Sequence, residues 1–230
     1  MEWIKAEIKF VSAFSYRMPD TSSLYAIPML LPGPSTIKLA LVATSILQSG
    51  RIEEGAFVFE LVKRAKIKFI LPERISVFRP LIRRLKPKSG SSGGGFESTY
   101  GTRGYVFYSG PVILYLGLNK EIEKIASMLR YIRRLGTSDS FVNIENLMFE
   151  APPNSLLVVE PLSRLHNIEK EGLLQRVKDI VEWSSFADVN PFEKSVERKR
   201  GSIFVTKFYI LPVRAIKEGG NWVLYKTLST

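Results

Sequence analysis

Between residues 3 and 149 the hydrophobic pattern changes period repeatedly, and the order of those changes restricts this chain more than any composition figure. From Trp3 to Val11 the pattern alternates. Ile4, Ala6, Ile8 and Phe10 point one way and Lys5, Glu7 and Lys9 the other, as in a half-buried strand. Residues 12–32 read as a long irregular connection, with Phe14, Tyr16, Arg17 and Tyr25 among prolines and serines. Gly33-Pro34-Ser35-Thr36 opens a helix, because a proline in the first turn lacks only an N–H that has no helical partner there. The helix itself, IKLALVATSILQS, is apolar almost all round and is expected to be largely buried, with Lys38 its only charge. Gly50 suits its C-terminal stop. Glu53 to Ala65 reads as a second, shorter helix, acidic at its start and basic at its end, in accord with the helix dipole.

Ile67 to Phe78, rich in β-branched and aromatic residues, predicts a strand interrupted at Pro72. Tyr105 to Leu116 predicts another, bent at Gly110-Pro111. Asn119 can cap a helix whose apolar stripe is Ile122, Ile125, Leu129 and Ile132 and which ends at Gly136. Phe141 to Phe149 is again a strand. The order is therefore βαββαβ, the pattern of an α+β, ferredoxin-like fold shared by the RNA-recognition module (RRM-like), and a fold that hosts many functions. Past about Asn154 the reading is a β-rich extension. Leu156–Glu160 forms a short strand and Leu173–Trp183 a helix. A polar stretch carries a second basic cluster, Arg198, Lys199 and Arg200. Ile203–Val213 and Trp222–Tyr225 are strands on either side of the turn residues Glu218-Gly219-Gly220-Asn221. The expected division is a domain over 1–153 and an extension over 154–230.

The stretch from Arg79 to Tyr108, RPLIRRLKPKSGSSGGGFESTYGTRGYVFY, lies between the second and third core strands. Its cations can pair with phosphates, its rings can stack on unpaired bases and its glycines allow close backbone approach. It reads as a long, basic, glycine-rich loop, and loops of that length in compact domains are usually functional or disordered. The whole chain supports a polyanionic partner: 33 Lys plus Arg against 22 Asp plus Glu leave a net charge of +11. Cysteine is absent, which excludes disulfides and thiolate metal ligands. No apolar run has the length of a membrane span, and the N-terminus alternates instead of forming a signal core. The expectation is a soluble, cytoplasmic protein without a membrane partner, small-molecule substrate, cofactor or metal.

Several of these segments together resemble a known family. PMLLPGPSTIKLAL enters the first helix, a glycine-rich insertion separates the second and third core strands, and a helix ends in RRLGTSDSFVNI. In this order they resemble the fifth family of CRISPR-associated (Cas) proteins in its archaeal type I-A form, a branch of the RAMP superfamily, over residues 1–150 and more weakly beyond. The resemblance implies a ferredoxin-like body with a protruding thumb, here residues 80–104. It implies a subunit of a crRNA-guided interference complex (Cascade) that grips the 5′ handle of crRNA. Its protein partners would be the backbone subunit and the large subunit. The candidate RNA-binding residues are Arg17, Lys38, Arg79, Arg83, Arg84, Lys86, Lys88, Phe96, Tyr100, Arg103 and Tyr105.

A related subtype of that family cuts repeat RNA, which requires a base, an acid and a cation at one phosphate. The sequence holds one histidine, His166, outside the ferredoxin-like segment and not beside a lysine, so no catalytic residue is assigned. Gly90 to Gly95 lack the spacing of a P-loop and its closing Lys-Ser/Thr. Asp139 and Glu145 read as isolated turn and surface acids. The leading expectation is a non-catalytic RNA-binding subunit. The alternatives are a metal-independent endoribonuclease acting on CRISPR repeat RNA and a stand-alone single-stranded RNA-binding module.

Overall fold

The computed structural model describes residues 1–18, 27–88, 95–162, 171–190 and 203–228. His166, Tyr25 and the cluster Arg198, Lys199 and Arg200 lie outside the described residues. The chain forms antiparallel sheets with few helices. The first sheet takes β1 (Glu2–Phe10), β2 (Lys66–Ile70), β7 (Val112–Leu118) and β8 (Val142–Phe149) in the order β2-β7-β1-β8. Counted along the chain these are the second, third, first and fourth strands of the βαββαβ pattern, and every neighbouring pair is antiparallel. The alternation of β1 is the reason for its place: Ile4, Ala6 and Ile8 face inward opposite Leu116, Leu114 and Val112. Each fully buried aliphatic side chain of this kind contributes roughly 1.5–3 kcal/mol.

Helix α1 (Pro34–Ser49) begins at Pro34 and closes on Gly50, whose φ of 66° is the left-handed cap that glycine adopts freely. It packs on α2 (Ile52–Val62) and near α3 (Ile122–Leu129), and Ile37, Leu41, Ile125 and Leu129 enter one core with β1 and β7. The start of α3 differs from expectation. Glu121, not Asn119, is its N-cap, at φ 57°. It also ends at Leu129, and a tighter turn carries the chain on, with Ile132 N–H donating to Leu129 O.

The two long strands read from the sequence each divide between sheets. Around Pro72 the chain leaves β2 and starts β3 (Arg74–Phe78). Around Gly110-Pro111 it leaves β6 (Tyr105–Tyr108) and starts β7. β3 and β6 pair in a second sheet, ordered β11-β12-β3-β6, which the C-terminal strands β11 (Val213–Gly219) and β12 (Trp222–Thr227) complete. A further pair, β9 (Leu173–Ile180) and β10 (Phe204–Leu211), packs its first strand against α1. Helix α4 (Phe186–Val189) carries a capping box between Ser185 and Asp188.

The expected helix over Leu173–Trp183 is therefore β9, a strand. Its buried positions are Gln175, Val177, Asp179 and Ile180, and the period of two from 175 to 179 is hidden because two of those three are polar. The expected strand at 156–160 is only a single bridge, Val159 to Phe69. Among the described residues no helix is long and apolar enough to cross a membrane.

Candidate nucleic-acid interface

The stretch expected as a loop is a hairpin. β4 (Leu81–Pro87) pairs with β5 (Phe96–Thr102) from Leu81↔Thr102 to Pro87↔Phe96, and Lys88 N–H donates to Gly95 O at 3.0 Å. Its register continues that of β3 and β6, where Phe78 faces Tyr105. The two ladders are one ribbon interrupted at Arg79-Pro80 and Arg103-Gly104. Pro80 offers no amide to the ladder, and Arg79 N–H turns instead to Asn221 O in the β11–β12 turn, at 2.8 Å. The glycine-rich residues 89–94 lie outside the described residues.

Side chains alternate across such a ribbon, and directly opposed residues share a face. One face carries Leu81, Arg83, Leu85, Phe96 and Tyr100. Phe96 and Tyr100 are each 66% exposed, and Leu81 and Leu85 are no less open. Arg83 lies over the Tyr100 ring at 5.9 Å and donates to Ser98 Oγ. The opposite face carries Arg84, Lys86 and Lys88, with Lys86 Nζ 2.9 Å from Glu97. The basic residues that look like one cluster in sequence are thus divided between a ring-bearing face and a cationic face.

The base of the hairpin is held by Asp139. Its carboxylate lies 3.0 Å from Arg103 Nη1 and 3.8 Å from Arg84 Nη2. Arg103 Nε also donates to Ser15 Oγ at 2.9 Å. Asp139 is presented by the LGTSDS turn, which is closed by Leu135 N–H donating to Ser140 O and by a 2.7 Å contact between the Thr137 and Ser140 hydroxyls. Gly136 is required there: its φ is 73°, and a Cβ would lie 2.8 Å from the Tyr16 ring. Tyr16 donates its hydroxyl to Leu135 O at 2.5 Å. A cavity of about 250 Å³ at this base is lined by Ser15, Arg17, Thr102, Arg103 and Thr137, so Arg17 and Arg103, far apart in sequence, share one wall.

Three sequence candidates have other surroundings. Lys38 is corrected outright: it is 1% exposed, its Nζ is 2.8 Å from Asp179 Oδ1, and it donates to Lys63 O. Burial lowers its pKa against the opposing pull of Asp179. A charge enclosed in this way is not an RNA contact. Tyr105 is stacked on Phe78, with ring centroids 5.5 Å apart, and carries Arg103 at 5.5 Å, so it braces the ribbon. Arg79 is half-buried where its backbone N–H meets the β11–β12 turn, at the foot of the hairpin. Phe14 and Tyr16, from the connection after β1, are interior: they cluster with Phe10 and Tyr108.

No family model matches the chain. It is 37% identical over 228 residues to the CRISPR-associated protein Cas5 of Archaeoglobus fulgidus, covering 97% of this chain and 98% of that protein. The chain belongs to the Cas5 family. Among solved structures it is similar to a CRISPR protein from Archaeoglobus fulgidus (TM-score 0.47, 14% identity, 100% of this chain and 93% of that one). It is also similar to a chain of the Type III-B Cmr-beta complex bound to cognate target RNA and AMPPnP (TM-score 0.46, 12% identity, 96% and 86%). Within this Cas5-family chain, Asp139 and Ser15 are the site residues that the sequence reading missed. The signal was the LGTSDS turn, singled out for its likeness to the family but not for the acid it carries.

Proposed function

We propose that this chain is a non-catalytic RNA-binding subunit of a type I-A CRISPR interference complex. In this reading β2-β7-β1-β8 with its helices is a ferredoxin-like body, residues 1–153 are the RNA-binding part, and 154–230 are an extension that braces it. The hairpin is the thumb. The observation that carries the reading is the two-faced ribbon. Its exposed rings offer stacking platforms worth about 1–3 kcal/mol per base, and its opposite face offers cations for phosphates. Handle RNA lies along the ribbon, with Arg17 and Arg103 at its foot, and the backbone and large subunits dock on the body.

The same register supports a binding role over a cutting one. Lys86 shares a face with Glu97, whereas Tyr100 opposes Arg83 on the other. Lys86 and Tyr100 therefore do not converge on one phosphate, and Tyr105 is held between Phe78 and Arg103. Replacing residues 81–102 by a short Gly-Ser link tests the reading. The expected result is loss of handle-RNA binding with an unchanged melting transition of the body. RNA affinity equal to the full chain would refute it.

A further inference from the structure

A second polar cavity lies between α1, α2, β2 and the β9–β10 pair and is lined by none of the hairpin's residues. Its volume is about 250 Å³, room for roughly eight waters at ~30 Å³ each. Six of its lining side chains are cationic and three are carboxylates, a surplus of three positive charges. Those carboxylates do not discharge the excess. Asp179 already holds two ammoniums, Lys38 at 2.8 Å on one oxygen and Lys207 at 2.8 Å on the other. Glu160 is taken by Lys68 at 2.6 Å, and Lys63 by Glu60 at 2.7 Å from outside the lining, so two positive charges remain in excess. Among the described residues, Arg64 and Lys66 have no carboxylate partner and stand exposed beside it. The cavity is also lined by Tyr209, whose side chain is fully buried and whose hydroxyl has no hydrogen-bond partner among the described residues. A buried donor left in this way costs about 1–3 kcal/mol, and the charges that act on it include the carboxylates Asp179 and Glu160, each already held by a lysine.

We propose that this cavity binds a phosphoryl group. The Tyr209 hydroxyl donates to one oxygen, and Arg64 and Lys66 neutralise the charge. A phosphate dianion or phosphodiester supplies both features that the cavity lacks, an acceptor for the phenol and negative charge for the surplus cations. Two sources share this chemistry, free inorganic phosphate and the backbone of a nucleic-acid strand.

The decisive variant is Tyr209→Phe in the full chain. It deletes only an unpartnered hydroxyl, so the ligand-free melting temperature should stay level or rise. Inorganic phosphate should raise the melting temperature of the wild type beyond chloride at equal ionic strength. The Phe variant should bind phosphate about tenfold more weakly, as expected when a hydrogen bond to a charged group is lost. The exposed pair Arg64→Gln/Lys66→Gln, which carries no fold risk, should weaken it similarly. A labelled single-stranded RNA separates the sources. Weakening of both RNA and phosphate by Tyr209→Phe assigns the site to a strand's backbone, and weakening of phosphate alone assigns it to the free ion. If neither probe binds in a way that either variant weakens, the proposal is overturned.

Discussion

Lys38 carries a charge into the interior and finds Asp179 there, with Lys207 on the second carboxylate oxygen. Removing one partner of a buried pair costs about 3–5 kcal/mol when the other charge is left uncompensated, but Lys207 still holds Asp179. Lys38→Met should therefore lower stability by less than about 3 kcal/mol in urea unfolding, while RNA affinity, measured where the variant is folded, stays at the wild-type value. The sequence pointed to the burial of the apolar helix but read Lys38, its only charge, as an RNA contact, because its partner Asp179 lies more than a hundred residues away and no local pattern reveals it. Arg17 is the reverse case: it is exposed and shares a wall with Arg103. Arg17→Ala should weaken handle binding with a melting temperature within error of the wild type. A large thermal loss with intact binding would contradict that assignment.

At the scale of elements, the strands that alternate against a core were legible, and those that do not were missed. β1 shows its period because one face is buried and the other wet. β4 and β5 are wet on both faces, so nothing in LIRRLKP or FESTYGT reports a strand, and the sequence there reads as a loop. β9 was mistaken for a helix because Gln175 and Asp179 sit on its buried face. Gln175 does so to accept Leu30 N–H at 2.8 Å, a contact that fixes the connection leading into α1. The hairpin's hold on the body is its Asp139 clamp. Asp139→Ala should leave the global melting temperature nearly unchanged, since partly exposed ion pairs are worth about 0.2–1 kcal/mol. Amide exchange in residues 81–87 should nonetheless quicken several-fold. Unchanged exchange there would show that the ladder alone holds the ribbon.

For the whole molecule, the four strands of the first sheet lie within segments whose residue types mark them as strands, whereas nothing local marks the pairing of the second sheet. Its strands β3 and β12 are joined only by a long-range ladder, and no single segment signals that partnership. Global stability carries a pH signature. Burial raises the hydroxyl pKa values of Tyr16, Tyr108 and Tyr209 above their ordinary 10.0, and those of Tyr115 and Tyr225 less deeply. The folded state keeps these protons longer than the unfolded chain, so this contribution is whole below pH 10.0 and is lost as the pH climbs above it. Lys38, with its folded pKa lowered below 10.5, works the other way and adds stability as the pH rises toward that value, but it is one group against five. Denaturation midpoints should fall above pH 10.0, with late phenolate absorbance appearing together with unfolding.

Under the proposed function the two faces of the hairpin make separable demands on RNA binding, and the salt dependence of affinity reads them apart. Phe96→Ala/Tyr100→Ala removes platforms and no charge, so affinity should fall by about 1–3 kcal/mol per stacked base, roughly 5- to 150-fold, with the salt slope unchanged. Arg84→Gln/Lys86→Gln removes two cations, so the slope of log K against log salt should become shallower by about 1.4. The measurement is handle-RNA affinity for the wild type and both pairs across a salt series, at temperatures where all are folded. A flattened slope confined to the basic pair, with weakened binding at constant slope in the aromatic pair, is the predicted result. Wild-type affinity and slope in both pairs would contradict the account.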